Sequence, residues 1–253
     1  MRLRLIRHAT LVVEYAGRRL LVDPMLDAAA ARPPVANTAN QRENPVVPLP
    51  VAAAEVVRGI DAVLVTHTHA DHWDTTAEAT LGRDLPLGCQ PEDAERFRDA
   101  GFGDVRPVAD AAEVAGIEVV RTPCRHGTGE IGERMAPASG FVLRAHGEPV
   151  TYIAGDTIWC EEVADVLRQF APAVVVVNAG GARFVVGDPI TMDAADVVAT
   201  CRAAPSARVV AVHMDAINHC GVRRRDLADA LRAASLGDRV SIPGDGEDAD
   251  LAG

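Results

Sequence analysis

The sequence has no excess of positive charge, no closely paired cysteines and no long apolar run. Its 25 basic residues, all of them arginine, stand against 36 aspartate and glutamate residues, for a net charge of −11. This balance disfavours binding to nucleic-acid phosphates as the main activity. The five cysteines include no Cys-x-x-Cys pair, so neither a disulfide framework nor a thiolate zinc site is indicated. We therefore expect a protein of the reducing cytoplasm.

The lack of a long apolar run argues against a membrane-spanning segment. The chain has no stretch long enough for a membrane-spanning helix and no signal-peptide core near Met1, so we expect no membrane partner. Apolar residues nevertheless make up 48% of the 253 residues, enough for a substantial core. The sequence leaves open whether the chain forms a homo-oligomer.

The order of predicted elements indicates an α/β fold. Two antiparallel hairpins, over residues 11–22 and 141–153, each precede segments in which strands and helices alternate. Helices are predicted over residues 91–100, 161–170, 194–203 and 224–234. This order predicts one domain over residues 1–253, a four-layer αββα sandwich of two mixed sheets with outer helices.

Two segments fall outside this regular pattern. Residues 28–50 carry five prolines, which predicts a long loop that serves as a flap facing a substrate. Residues 245–253 are acidic, and we expect a flexible tail there.

The most informative motif is Thr-His-Thr-His-Ala-Asp-His over residues 66–72. Three of the eight histidines in the chain lie in this one short segment, which directly follows an apolar strand. Imidazole nitrogen and carboxylate oxygen are ligands for zinc, manganese and iron. The alternation of His67 and His69, with Asp71 and His72 free to turn elsewhere, suggests two metal positions rather than one.

Other potential ligands also follow predicted strands. His126, Asp156 and His213 each come after an apolar run. Because strand ends gather along one edge of a layered α/β fold, these side chains can converge on the loop at residues 66–72.

Taken together, these residues resemble the metallo-β-lactamase superfamily, through His-x-His-x-Asp-His, a later histidine, the aspartate of Gly155-Asp156-Thr157 and His213. Val22-Asp23-Pro24 and the segment from His213 to Cys220 further resemble a branch that includes ascorbate-phosphate lactonases. The resemblance implies an αββα sandwich with its site in a shallow cleft between the sheet edges. It also implies two divalent metal ions, with zinc as the default and manganese or iron as alternatives.

The resemblance implies a role for each matched position. His67, His69 and His126 would hold the first metal ion, Asp71, His72 and His213 the second, and Asp156 would bridge both. Asp71 would also orient the nucleophile and accept its proton.

Residues near these ligands are candidates for support or substrate contact. Asp23 is expected beneath the metals, whereas His8 fits either a functional or an ordinary strand-edge role. His219 is a candidate proton donor. Asn178, Arg183 and Asn218 are candidates for support of the site or contact with substrate, and Arg183 could hold an anionic group.

These features predict a metal-dependent hydrolase that uses a hydroxide from a dinuclear site to attack a small-molecule lactone, ester or related acyl bond. A small-molecule phosphodiesterase is the alternative. A metal-binding protein without turnover is a further one, although structural zinc sites usually contain cysteine. A redox role would require a flavin-binding domain, for which the sequence has no room.

Overall fold

Two mixed sheets form the centre of the protein in the computed structural model, which describes residues 1–252. The first sheet, in spatial order, consists of β1 (Arg2–Arg7), β2 (Thr10–Tyr15), β3 (Arg18–Val22), β4 (Ala62–Val65), β5 (Leu87–Cys89) and β6 (Val105–Pro107). Strands β1 to β3 pair antiparallel, and β3 to β6 pair parallel.

The second sheet repeats this plan. In spatial order it consists of β7 (Ala111–Val114), β8 (Ile117–Pro123), β9 (Ser139–Arg144), β10 (Thr151–Ile153), β11 (Val174–Asn178), β12 (Arg208–Val212) and β13 (Val240–Ser241). Strands β7 to β10 pair antiparallel and β10 to β13 pair parallel.

Helices cover the outer faces of both sheets. They are α1 (Ala53–Val56), α2 (Thr75–Thr80), α3 (Ala94–Asp99), α4 (Gly129–Met135), α5 (Glu161–Phe170), α6 (Ala194–Ala203) and α7 (Arg224–Ala233). Among residues 1–252, none of these helices combines the length and the apolar content needed to cross a bilayer.

Alternation along the strands explains the four layers. In β4, Leu64 faces the core between the sheets, whereas Val63 and Val65 face the core beneath the outer helices. Successive strand side chains point to opposite faces, so a strand buried on both faces is apolar at every position. The predicted αββα sandwich of two mixed sheets is therefore confirmed.

The predicted hairpins and most helices lie where the sequence indicated them. In the first hairpin, Ala16 and Gly17 take left-handed φ values of 51° and 72°, as the tight turn requires. The helix predicted over residues 91–100 is divided, however, into a 3-10 turn at Pro91–Asp93 and the shorter α3.

The segment at residues 28–50 has no helix or strand, only an isolated bridge between Arg32 and Asn44. The acidic end of the chain differs from the expected flexible tail. The amides of Gly246 and Ala249 donate to Leu5 O and Leu3 O, at 2.8 Å each. Residues 246–249 thus cover the free edge of β1, which otherwise would present unpaired backbone groups. Gly253 lies outside the described residues.

Candidate metal centre

Ionisable and polar side chains follow the strands of both sheets at one edge. His8 follows β1, Asp23 follows β3, and the loop at residues 66–72 follows β4. In the second sheet, His126, Asp156 and His213 follow β8, β10 and β12, and Asn178 ends β11. Because all these strands run in the same direction within their sheets, their ends meet above the inner core.

Two groups of side chains face each other at this edge. His67, His69 and His126 form the first, and His8, Asp71, His72 and His213 form the second. Within each group, one ligand atom from every residue lies within 4.8 Å of the others. The structure therefore brings six of the seven residues predicted as metal ligands into two neighbouring positions.

Asp156 lies between the two groups. Its Oδ2 is 3.3 Å from His72 Nε2 and 3.4 Å from His126 Nε2, and its Oδ1 is 3.4 Å from His213 Nε2. One carboxylate thus faces imidazoles of both groups. This placement matches that of a bridging ligand.

Hydrogen bonds behind three of the imidazoles fix which nitrogen faces the centre. The Nδ1 of His72 donates to Asp23 Oδ2 at 2.9 Å, and the Nδ1 of His126 donates to Ile190 O at 2.7 Å. The Nδ1 of His67 donates to Thr66 Oγ1 at 3.1 Å. Such bonds select the tautomer whose other nitrogen carries a lone pair. All three Nε2 atoms therefore face the centre. For His72, the carboxylates of Asp156 and Asp23 outweigh burial and hold its pKa well above the usual range, so a bound cation would replace a proton at its Nε2.

Burial sets the charge of these groups. It lowers the pKa of His67 and His213 well below the usual range, so both rings are neutral near pH 7. Burial also opposes ionisation of Asp156, but the surrounding imidazoles, His213 first, outweigh it and hold the pKa of that carboxyl well below its usual range. Neutral imidazole and ionised carboxylate are the forms that bind metal ions.

The short distances between imidazole nitrogens also indicate a site for divalent metal ions. His67 Nε2 lies 2.9 Å from His69 Nδ1, and His72 Nε2 lies 3.3 Å from His213 Nε2. Buried lone pairs that point at one another and at a carboxylate repel unless a cation or a shared proton lies among them. The imidazole nitrogens and carboxylate oxygens of the two groups are therefore a suitable environment for zinc, manganese or iron.

His8 belongs to this site, although its position after a strand did not by itself decide its role. Its side chain is fully buried, its Nε2 is 3.2 Å from Asp71 Oδ2, and its ring packs on that of His213 at 3.6 Å between centroids. Burial lowers the pKa of His8 to about 4. A neutral His8 can accordingly donate to Asp71 or offer a nitrogen to the second group.

Asp23 and Asn178 support the ligands from below. Asp23 accepts hydrogen bonds from the Thr66 amide and hydroxyl, at 2.7 Å each, as well as from His72. Asn178 Nδ2 donates to Asp156 Oδ1 at 2.6 Å. Both residues therefore orient ligands, and neither lines the cleft above the metal-ligand groups.

Asn218 and Arg183 do not line the cleft above the metal-ligand groups. The Asn218 side chain accepts from Val35 N and Asn44 Nδ2 and donates to Thr38 Oγ1, so it holds the loop at residues 28–50. The exposed Arg183 donates to Gly187 O at 3.2 Å, within its own loop. Arg183 is not among the residues that line the cleft, and its role as an anionic clamp stays a prediction.

The cleft itself has a volume of about 230 Å³ and opens above His69, Asp71, His126 and Asp156. Its other walls include apolar side chains, which are Val35, Met135, Phe184, Ile190 and Ile217. His219, the candidate proton donor, is another residue that lines the cleft. Burial lowers its pKa, and its Nδ1 has no hydrogen-bond partner among residues 1–252.

Arg32 is a cleft residue that the sequence pattern did not single out. It lies on the long loop, forms an ion pair with Asp27 at 3.2 Å, and lines the cleft. Its Nη2 is buried with no hydrogen-bond partner in the described chain. The only available signal was a basic residue within a loop predicted to face substrate.

Three residues of the site have strained backbones. His8, Asp23 and His213 have φ values of 60°, 44° and 68°, in the left-handed region that residues other than glycine seldom occupy. Each follows a strand directly and must turn its side chain into the site. Strain of this kind concentrates at functional positions.

Comparisons with known proteins agree with this geometry. The model of the family described as beta-lactamase superfamily domain matches residues 18–214. The UPF0173 protein YddR of Bacillus subtilis is 34% identical over 250 residues, 98% of each chain. The solved structure of isothiocyanate hydrolase from Delia radicum gut bacteria is 37% identical, with a TM-score of 0.92 and 98% coverage of both chains. That of a possible metal-dependent hydrolase from Veillonella parvula is 33% identical, with a TM-score of 0.95 and the same coverage.

The double sheet, with clustered imidazoles and carboxylates at its shared edge, defines a metallo-β-lactamase fold. The chain belongs to the beta-lactamase superfamily domain family. Within that superfamily it is a metal-dependent hydrolase, as the sequence predicted.

Proposed function

We propose that the protein hydrolyses small, uncharged electrophiles, with isothiocyanates as the first substrate class, at a pair of divalent metal ions. The observation that carries this proposal is the small cleft with apolar walls directly above the two metal-ligand groups. The likeness to an isothiocyanate hydrolase over 98% of the chain supports the same choice.

The proposed ligands are divided between two ions. His67, His69 and His126 would hold the first, Asp71, His72 and His213 would hold the second, and Asp156 would be shared by both. Bound divalent ions would lower the pKa of a water molecule to about 7 and so supply hydroxide near neutral pH. Zinc is the first candidate, and manganese and iron suit the same nitrogen and oxygen donors.

The chain's own residues position the reactants and move the proton. Asp71 is ionised, because its hydrogen bond with His8 and the imidazoles of His72 and His213 outweigh the effect of burial and hold its pKa well below the usual range. It lines the cleft, where it can orient a water molecule and accept its proton. His219 and Arg32 line the same cleft and can donate hydrogen bonds to the substrate heteroatom on which negative charge develops.

An isothiocyanate suits the cleft in size and in chemistry. Its central carbon is electrophilic, and its substituent is commonly apolar, like the walls formed by Val35, Ile190 and Ile217. Water adds across the C=N bond to give a thiocarbamic acid. This acid then loses carbonyl sulfide and leaves the amine, so one water molecule is consumed for each substrate.

Lactones and esters present a similar electrophilic carbon and form the second group to test. A phosphodiester is less suited, because Arg32 is the one arginine among the described residues that line the cleft. The apolar walls do not favour an anionic substrate.

Metal analysis combined with a substrate panel tests the proposal. Purified protein is analysed for metal, reconstituted with zinc, manganese or iron, and assayed with benzyl isothiocyanate, a γ-lactone, an aryl ester and a chromogenic phosphodiester. We expect about two ions per chain and the highest kcat/KM with the isothiocyanate. A preference for the lactone, ester or phosphodiester would replace the substrate class. An inert protein at full metal occupancy would favour a role without turnover.

A further inference from the structure

A second cavity of about 580 Å³ adjoins the cleft. The two cavities have Met135 and Phe184 in common. Phe184 comes from the loop that precedes Ile190, and Met135 from the end of α4. A group bound in the cleft therefore has a neighbouring space directly beyond these two side chains.

The lining of the second cavity is largely apolar. Ile131, Met135 and Phe184 form part of it, together with Val185 and Val186. These two valines are 68% and 78% exposed, and they are the large hydrophobic side chains left exposed among residues 1–252. Exposed neighbouring apolar side chains beside a cleft indicate a binding surface.

Contacts on both sides hold this cavity in shape. The Val185 amide donates to Asn37 O at 2.7 Å, which ties the loop to residues 28–50. Gly187, with φ of 104°, packs so closely on α4 that an added Cβ would lie 2.6 Å from Ile131 Cδ1. The loop that carries Val185 and Val186 is therefore held against both residues 28–50 and α4.

We propose that this cavity binds the apolar substituent of the substrate, while the reacting carbon lies in the cleft above the metal-ligand groups. The inference rests on the proposed function and specifies its substrate class as isothiocyanates with long alkyl or arylalkyl groups. The polar residues of the cavity are Asn37, Glu130 and Arg134. One acid and one base give no net charge, so an uncharged substituent is favoured.

The proposal predicts selectivity by length. Each methylene group buried in an apolar site increases affinity roughly fourfold. Substituents that end in the cleft gain nothing from the second cavity, whereas those that reach past Phe184 and Met135 do. We therefore expect kcat/KM to be at least about tenfold higher for hexyl than for methyl isothiocyanate.

The test measures two quantities: the turnover of isothiocyanates and the binding of thioureas, which serve as unreactive ligands. Turnover is measured with methyl, butyl, hexyl and phenethyl isothiocyanate, and calorimetry measures the binding of N-methylthiourea and N-hexylthiourea. The double variant Val185→Ser, Val186→Ser is compared with Val185→Ile, Val186→Ile, which keeps the surface apolar. Asp188→Asn changes an exposed neighbour that does not line the cavity and serves as a control.

The expected result is a preference for the hexyl compounds in the wild type, the isoleucine variant and the control. The serine variant should lose about tenfold for the hexyl compounds and little for the methyl compounds. Equal binding of both thioureas, or equal losses for both in the serine variant, would overturn the subsite. Preferential binding of N-hexylthiourea without isothiocyanate turnover would support the subsite and reject the proposed reaction instead.

Discussion

At the scale of single residues, Asp156 has the greatest influence on the site. Its two carboxylate oxygens face His72, His126 and His213, and Asn178 holds one of them. A neutral replacement would leave buried imidazoles of both groups without their common anionic neighbour.

We expect Asp156→Ala to lower metal content and turnover together, with kcat/KM falling at least about 100-fold. Metal analysis by mass spectrometry and steady-state kinetics measure both. Asp188→Ala, at an exposed carboxylate, is the control and should change neither. Full metal occupancy and full activity in Asp156→Ala would refute a bridging role.

A second residue-scale prediction concerns His8. His8→Asn keeps a residue type that tolerates left-handed φ but removes the imidazole next to Asp71. We expect metal affinity to fall about 10–100-fold at one of the two positions and to stay unchanged at the other. Titration against a competing chelator measures this, with His146→Asn, at an exposed histidine outside the site, as the matched control. Two unchanged affinities would show that His8 serves only to pack against His213.

The candidate ligands were predictable because their chemistry is concentrated in the sequence. Three histidines and an aspartate within residues 67–72 are the donor types of a metal site in a single short loop, and the strand-end rule then points to His126, Asp156 and His213. Arg32 could not be predicted in this way. Its position in the cleft depends on how a loop without regular structure folds back, and local sequence patterns do not encode that path.

At the scale of elements, the segment at residues 28–50 depends on one side chain from another part of the chain. The side chain of Asn218 forms hydrogen bonds with Val35, Thr38 and Asn44. Its backbone N–H also donates to Asn44 Oδ1, at 2.9 Å. The loop carries Val35 and Arg32 into the cleft. Its position therefore affects substrate binding without affecting the metal-ligand groups directly.

We expect Asn218→Ala to free this loop. Several buried polar groups would lose their partner, at about 1–3 kcal/mol in stability, and limited proteolysis within residues 28–50 should become faster. Turnover should fall about tenfold at unchanged metal content. Asn40→Ala is the control, because Asn218 contacts Asn40 only through its backbone oxygen. Unchanged proteolysis in Asn218→Ala would show that the prolines alone hold the loop.

The elements that the sequence pattern misjudged depend on distant contacts. The acidic composition of residues 245–253 suggested a flexible tail, but Asp245 pairs with Arg224 at 2.5 Å and Asp250 with Arg208 at 2.9 Å. These partners lie in other parts of the chain, so composition could not reveal them. The strands and the longer helices, in contrast, carry their own periodicity and were found within a few residues.

At the scale of the whole molecule, Tyr15 joins the two sheets. It ends β2 in the first sheet, and its buried hydroxyl shares its one proton between two carbonyl oxygens. These are Leu143 O in β9 of the second sheet, at 3.0 Å, and Pro149 O in the turn between β9 and β10, at 2.9 Å. Burial, together with nearby Glu148, raises the pKa of Tyr15 to about 12. The folded protein therefore retains this proton at pH values where the unfolded chain has lost it.

The sign of the pH effect follows from this difference. The Tyr15 contribution to the free energy of unfolding is complete below pH 10, the ordinary tyrosine pKa, and declines as the pH rises towards 12. Tyr15→Phe should be about 1 kcal/mol less stable at pH 7, and this deficit should shrink between about pH 10 and 11. Urea denaturation of both proteins at about pH 7, 9 and 11 measures the difference. A deficit independent of pH would contradict the raised pKa.

The left-handed backbones of His8, Asp23 and His213 limit how this enzyme can evolve or be engineered. Glycine at any of the three would relax the main chain, yet it would remove an imidazole or a carboxylate that the chemistry needs. Valine or isoleucine would lose the same group and worsen the torsion. Selection for heat resistance should therefore accumulate substitutions far from these three positions. Stability that could be gained by relaxing the backbone at the three positions is not accessible without loss of activity.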